Sequence, residues 1–391
     1  MKKHTTQTEQ PKAKREQQKG TQEFLQKLGQ AQLRELETFG CDLGDKTSEL
    51  YAIRRDESTW RPKAIKTTRE GLRGFFKDRQ RAHVVIEVGA HSRWVQAELV
   101  AMGHLVTVAN PRKVKLISEN DQKDDAVDAK LLARLGRADV ELLSPVTHRG
   151  EQVQADLAIP KARDAMVGCR TKLINMARGL TKSHGYLLPK CDAEAFHRKA
   201  KEFVPQILRA ALKPLFKLLE NLHEQIAVYD KQIAVLAKTR YPDVELVSQP
   251  TGIGLLTGLV FILTLEDKKR FRKSRDVGAY VGLTPRKKKS GKSDPQLHIT
   301  KTGDEFLRRL LVQDANYILG PLCRQDSDLR RWGLNLCERG GKAARQRAKI
   351  GLARKLSVLM HRLWVTGEDY QPLGYRKERK PRVTKTEERA A

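Results

Sequence analysis

Between residues 38 and 136 the apolar positions switch repeatedly between strand-like runs and helix-like spacing. The segment "FGCDLGDKTSELYAIRR" (39–55) predicts two short strands joined by a turn at Gly44-Asp45. "HVVIEVG" (83–89) predicts a buried strand ending in glycine, and "HLVTVANP" (104–111) a third strand. "SRWVQAELVAMG" (92–103) and "AVDAKLLARLG" (126–136) carry apolar residues at helical spacing. Strands alternating with helices predict an α/β domain.

The middle of the chain has a different period. Leu208, Leu212, Leu215, Leu219, Leu222, Ile226, Tyr229, Ile233 and Leu236 alternate four- and three-residue steps, which is a heptad seam. Pro205 and Pro214 place the start of its uninterrupted part near 215. Met166, Leu173 and Leu180 mark an earlier helix, about 160–184, as an antiparallel partner. A core helix of a bundle and a dimerising coiled coil fit this pattern equally.

A third region opens with "QPTGIGLLTGLVFIL" (249–263), where Pro250, Gly252 and Gly254 make a tight turn into an apolar helix. This is a helix-hairpin-helix-like element, of the kind that aims backbone N–H groups at a phosphate. Further helices are expected at about 274–282, 303–320 and 341–366, the second capped near Thr302 or Gly303. The fold expected is therefore α/β plus α. Its parts are a basic flexible arm (1–35), an α/β metal-binding domain (36–147), a helical coiled-coil region (148–243), a mainly helical domain (244–366) and a basic flexible tail (367–391).

Charge narrows the function. The 391 residues carry 76 Lys+Arg against 47 Asp+Glu, a net charge of +29, with 39% hydrophobic residues. That is a folded protein with a strong excess of cations, which favours nucleic acid through counterion release. No apolar run predicts a membrane span, and the start lacks the apolar centre of a secretory signal. The expected setting is cytoplasmic. Cys41, Cys169, Cys191, Cys323 and Cys337 have no metal-ligand spacing and predict reduced, mostly buried thiols.

Against that background, "NDQKDDAVDA" (120–129) places Asp121, Asp124, Asp125 and Asp128 within eight residues. Asp121 and Asp124 are explained as helix caps. Asp125 and Asp128, three apart, share a helix face and repel, and folding does not ask for them. A divalent metal does, because Mg²⁺ takes hard oxygen ligands from carboxylates and substrate phosphate. Asp42 and Glu87, at the ends of predicted strands, complete an acidic centre of the ribonuclease H type. Two ions about 4 Å apart can clamp both oxygens of an in-line phosphoryl transfer.

A second constellation is "YVGLTPRKKKSGKSDPQLHITKTGDEFLRRLLV" (280–312). Arg286, Lys287, Lys288 and Lys289 precede Ser290-Gly291, and Lys292 follows; Lys301 and Arg308 add charge nearby. A charge run is ordinarily a solvated face, and a turn serine ordinarily structural. Here the cations suit a phosphate backbone and lower the cost of a serine alkoxide beside it. Ser293 is an alternative nucleophile by spacing alone. Arg308 and Arg309 either contact DNA or face water.

In order, "GCDLGDK", "IEVG", "NPRKVKLISENDQKDDAVDA", "TGIGLLTGL" and "AYVGLTPRKKKSG…ITKTGDEFLRRLL" resemble the DEDD transposases of the insertion-sequence 110 family, including its 1111-type branch. The resemblance covers about 38–320. It implies a RuvC/ribonuclease H-like amino-terminal domain in which Asp42, Glu87, Asp125 and Asp128 bind Mg²⁺, or Mn²⁺ in its place. It implies a carboxy-terminal transposase domain whose Ser290 attacks DNA to form a covalent intermediate. It further implies a non-coding guide RNA from the element itself, DNA partners at the element ends and the target, a homodimer or homotetramer, and a bacterial, nucleoid-associated setting. Where the family often has Ser-Ser-Gly-Gly, this chain has Lys289-Ser290-Gly291-Lys292. A metal-dependent structure-specific endonuclease of the Holliday junction type, using water as nucleophile, is the rival expectation. A non-catalytic nucleic-acid-binding protein is a second.

Overall fold

A computed structural model describes residues 30–111, 124–291, 293–295, 297–341 and 343–374. Asp121 and Lys292, singled out above, lie outside the described residues, as do 1–29 and 375–391. The chain divides into two compact units, residues 1–150 and 151–391.

The first unit runs α1 (Gln30–Arg34), β1 (Thr38–Leu43), β2 (Thr47–Ile53), β3 (Thr59–Trp60), β4 (Ile65–Lys66), α2 (Arg69–Phe76), β5 (His83–Glu87), α3 (Ser92–Ala101), β6 (Leu105–Ala109) and α4 (Asp125–Ala138). Its sheet has the order β3-β2-β1-β5-β6, with β4 also on β2. β1 and β2 form the expected antiparallel hairpin, whereas β1, β5 and β6 run parallel. The parallel strands β1, β5 and β6 are buried on both faces. On one, Phe39, Cys41, Val84, Ile86, Val106 and Val108 pack with Leu72 and Phe76 of α2 and Val95 and Leu99 of α3. Each such side chain is worth roughly 1.5–3 kcal/mol on burial. On the other, Val85 and Ala109 pack with Leu132 of α4 and Leu143.

The second unit runs α5 (Glu151–Ser183), α6 (Phe196–Lys199), α7 (Arg209–Arg240), α8 (Asp243–Val247), α9 (Leu255–Leu265), α10 (Asp276–Tyr280), α11 (Glu305–Ile318), α12 (Asp328–Glu338) and α13 (Ala344–Thr366). Helices α5 and α7 pack antiparallel: Arg163 pairs with Asp230, and Arg240 with the buried Asp156, which also accepts from Tyr241 at 2.7 Å. The heptad seam is real and is used within the chain. Leu212, Leu219, Ile226, Ile233 and Leu236 are buried, whereas Leu215, Leu222 and Tyr229, spaced by seven, are half-buried at its margin. Residues Thr257–Leu265 of α9 are all buried, as expected for a helix apolar on every side. Among the described residues, no helix is long and apolar enough to cross a membrane.

Several expectations are corrected. Helix α7 starts at Arg209 and runs through Pro214, and α5 starts at Glu151 and runs through Pro160. Each proline forfeits one backbone hydrogen bond, which burial on either side of it offsets. On α5 the expected Leu173 and Leu180 are half-buried and pack against the cluster that holds Leu212, Phe216 and Leu219, with Ile174, Ala177 and Thr181 fully buried beside them. The arm is not flexible to residue 35: Leu33 is buried, and Gln30 Nε2 donates to the carbonyls of Gly136 and Arg137. Nor does the tail begin at 367, since the Tyr370 N–H donates to Gln249 and the Asp328 N–H to Pro372. Of the cysteines only Cys41 and Cys323 are buried; all five are free.

Candidate active site

The sheet register sets the first two acids. Thr38 pairs with His83 and Cys41 with Ile86, so one step further Asp42 and Glu87 stand side by side at the carboxyl ends of parallel strands. They share strand parity with Gly40 and Val85, whose face is the one covered by α4. Helix α4 opens with Asp124 as its cap, the carboxylate accepting from the Ala126 N–H at 3.0 Å. Asp125 and Asp128 then fall in its first turn, exposed and half-buried respectively. All four acids thus belong to one face and one end of the sheet.

Close packing of α4 on β1 brings the helical pair to Asp42. At Gly40 a Cβ would lie 1.9 Å from the Ala129 carbonyl oxygen and 2.5 Å from the Ala133 nitrogen. At Gly136 it would lie 2.4 Å from Val85 Cγ2. Two glycines, one on each partner, let backbone meet sheet. The far end of α4 is pinned by Arg137, whose buried guanidinium donates to the carbonyls of Leu36 and Arg54 and pairs with Glu57. Neither glycine nor Arg137 carries a sequence signal of its own; Gly40, two residues before Asp42, is visible only in retrospect.

The electrostatics follow. The Asp42 carboxyl is pushed up to about 6, first by burial and then by the negative charges of Asp125 and Asp128. Among the described residues, however, no three Asp, Glu, His or Cys side chains close into a metal-holding cluster. Convergence and closure are different matters. The donor set, all hard carboxylate oxygens, and the charge that lifts Asp42 fit a divalent ion of the Mg²⁺ type.

The serine segment lies in the other unit. The Ser290 N–H donates to Ser293 O at 3.1 Å, and the Ser293 N–H to Ser290 O at 2.9 Å. Further down, Pro285 bridges Ile299, and the Arg286 N–H donates to His298 O. Ser290-Gly291 therefore sits at an exposed hairpin tip, with Gly291 at φ +54°. Ser290 and Ser293 face one another across it. Arg286, Lys287, Lys288 and Lys289 are exposed along the rising arm. The base is tight: a Cβ at Gly282 would lie 2.1 Å from Thr302 O, and one at Gly303 1.9 Å from Tyr280 O. Arg308 clamps this base, donating to the carbonyls of Val281 and Thr302 at 3.1 Å. Exposed Lys301, at φ +55°, stands beside it. Arg309 pairs with Asp164. Asp304, not Thr302 or Gly303, caps α11, because its carboxylate reaches the Leu307 N–H at 3.0 Å.

Two family models match these same stretches. The DEDD type of IS110, described as a transposase, matches residues 39–184 and so includes all four acids. The transposase IS116/IS110/IS902 family matches residues 244–321, including Ser290. The transposase for insertion sequence element IS1111A of Coxiella burnetii is 31% identical over 298 residues, 74% of this chain and 79% of the relative.

The chain belongs to the IS110 family of insertion-sequence transposases.

Other relatives agree. The transposase for insertion sequence element IS1328 of Yersinia enterocolitica is 29% identical over 302 residues, 75% of this chain and 87% of the relative. A probable family 20 transposase of Pseudomonas aeruginosa is 25% identical over 311 residues, 78% of this chain and 90% of the relative. As an IS110-family transposase the protein is an enzyme that cleaves and rejoins DNA, and DNA is its partner. Transposases of the DEDD type generally use divalent metal ions.

Proposed function

We propose that this transposase moves its insertion sequence with a metal centre at Asp42, Glu87, Asp125 and Asp128 and a nucleophile at Ser290. The carrying observation is the Asp42 carboxyl, raised to about 6 first by burial and then by the charges of Asp125 and Asp128, on the face it shares with Glu87. The strand order β3-β2-β1-β5-β6, antiparallel then parallel, supports reading residues 36–147 as a RuvC/ribonuclease H-like domain. The remaining parts of the proposal are a helical middle (148–243) and a transposase domain (244–366).

Bound at the four acids, Mg²⁺ or Mn²⁺ supplies charge neutralisation at the scissile phosphate. Ser290 Oγ, presented at an exposed tip, bonds to phosphorus as the bond to the leaving strand oxygen breaks, and the serine's proton is passed on to that oxygen, which leaves as a hydroxyl. The phosphodiester energy is kept in the serine link, so rejoining needs no outside energy source. Arg286, Lys287, Lys288 and Lys289, with Lys292 and Lys301, hold backbone phosphates beside the tip. Arg308 contributes chiefly by holding the hairpin base that aims it.

An element-encoded RNA that selects the DNA is consistent with a net charge of +29. A homodimer or homotetramer belongs to the same proposal. Because the α5–α7 seam is used internally, contacts between copies fall to outer apolar residues such as Val228 and Val235. The working place is the nucleoid of a bacterial cytoplasm. A junction endonuclease using water is not favoured, since the relatives are named transposases.

The test is adduct trapping with element-end DNA, co-purified RNA and Mg²⁺. The unmodified protein is expected to give a covalent DNA adduct mapping to Ser290, and Ser290→Ala none. Asp125→Asn/Asp128→Asn is expected to abolish cleavage while DNA binding persists. An adduct retained in Ser290→Ala and lost in Ser293→Ala would reassign the nucleophile. Cleavage retained in the double Asn variant would refute the metal centre.

A further inference from the structure

Helices α12 and α13 lie beyond both matched stretches, 39–184 and 244–321. From Arg339 to Gly367 the chain has eight Lys or Arg and no Asp or Glu. The fold holds this segment firmly. Trp332 of α12 packs against Gly351, whose Cβ would lie 3.1 Å from the indole, and Lys355 Nζ sits 4.0 Å over the same ring. Ala344, Ala348, Leu352 and Leu356 anchor α13 in the core.

What remains outside is almost purely cationic. Arg339, Arg345, Gln346 and Arg347 are exposed and Lys349 is half-exposed. None of Arg339, Arg345, Arg347 and Lys349 enters an ion pair among the described residues. Three of these cations lie in the first two turns of α13, where the helix dipole is itself positive, and that helix's first turn carries no acid to offset them. A helix built only for stability would carry Asp or Glu there. Like charges stacked on a positive helix end raise the energy of the folded state, and a polyanion removes that cost.

We propose that this α12–turn–α13 surface binds double-stranded DNA, with the opening turns of α13 entering the major groove. The dimensions favour a B-form duplex. A helix with its side chains, about 10–12 Å across, fits a groove about 12 Å wide. The deep, narrow major groove of A-form RNA does not admit it. Arg345, Arg347 and Lys349 meet phosphates or guanine edges, and the Gln346 amide can pair with an adenine edge. Such a site gives the transposase a duplex-holding surface built from residues other than its acids and its serine hairpin.

The test measures binding of the full-length protein to a labelled 30-base-pair duplex in EDTA across a salt series. Metal and serine chemistry are silent there, so the result stands apart from the proposed cleavage mechanism. Arg345→Ala/Arg347→Ala/Lys349→Ala is expected to weaken binding about tenfold and flatten the log K against log salt slope by about 2–3. Lys213→Ala/Lys231→Ala/Lys238→Ala, which removes equal charge from the exposed face of α7, is expected to leave the slope unchanged. The α13 triple should melt no lower than the parent, because it loses only repulsion. An unchanged slope, an equal effect of both triples, or a loss confined to an RNA hairpin probe would each overturn the proposal. So would a clearly lower melting temperature.

Discussion

Replacing Gly40 with Ala adds one methyl group where β1 meets α4. Its Cβ would stand 1.9 Å from the Ala129 carbonyl oxygen, against an ordinary contact of 3.4 Å or more, so α4 must retreat by about 1.5 Å. The obstacle is backbone on both sides, and no rotamer can swing clear. Overpacking of this kind costs typically 1–3 kcal/mol, and a helix backbone in the path places this case at the upper end. Without the helix the sign would reverse, because Gly→Ala in a strand of ordinary φ stabilises by about 0.4–1 kcal/mol. Urea denaturation of Gly40→Ala is therefore expected to show a midpoint shifted down by about 3 kcal/mol equivalent. Carbon-detected NMR titration should show the Asp42 carboxyl falling from about 6 toward the usual carboxylate range, as Asp125 and Asp128 move off with α4. Transposition should fall with it. An unchanged or raised midpoint would refute the close seating of α4, and with it the convergence of the acids.

Two further outcomes probe the supports. Asp314 on α11 has a buried Oδ2 with no hydrogen-bond partner among the described residues, and burial lifts its carboxyl to about 7. For an acid raised above its unfolded value of 3.8, the native state favours the proton, so stability is lost as pH climbs from about 4 to 7, by roughly 4 kcal/mol at most. Asp314→Asn should flatten that fall and be the more stable protein at pH 8, read as urea midpoints at pH 5 and 8; a variant no more stable at pH 8 would sink it. Arg137→Met strips the carbonyls of Leu36 and Arg54 of their donor and leaves Glu57 unpaired, which should cost roughly 3 kcal/mol and lower the melting temperature by several degrees. A loss under 1 kcal/mol would show that Arg137 does not pin α4.

The strands and helices around the acids were legible because their apolar periods are clean: every element expected between 39 and 136 forms. The two-residue strands β3 and β4, together with α2 and α12, escaped, since short or charge-rich segments carry little periodicity. Proline misled at 214, because local breaker strength was weighed without the burial on either side. The hairpin that lifts Ser290 could not be read from "PRKKKSGKSD", as its pairing depends on the distant base formed by Gly282, Gly303 and Arg308.

By itself, the sequence determined which chemistry is present: hard acids, a cationic serine loop and a seam of leucines. Residue type and period are local properties, and both survive in one dimension. Tertiary structure alone decided proximity. Parallel pairing at an offset of 45 residues set Asp42 beside Glu87, and two missing side chains let α4 carry Asp125 and Asp128 into the same field. Repulsion between charges depends on distance through space, which the order of residues along a chain does not specify.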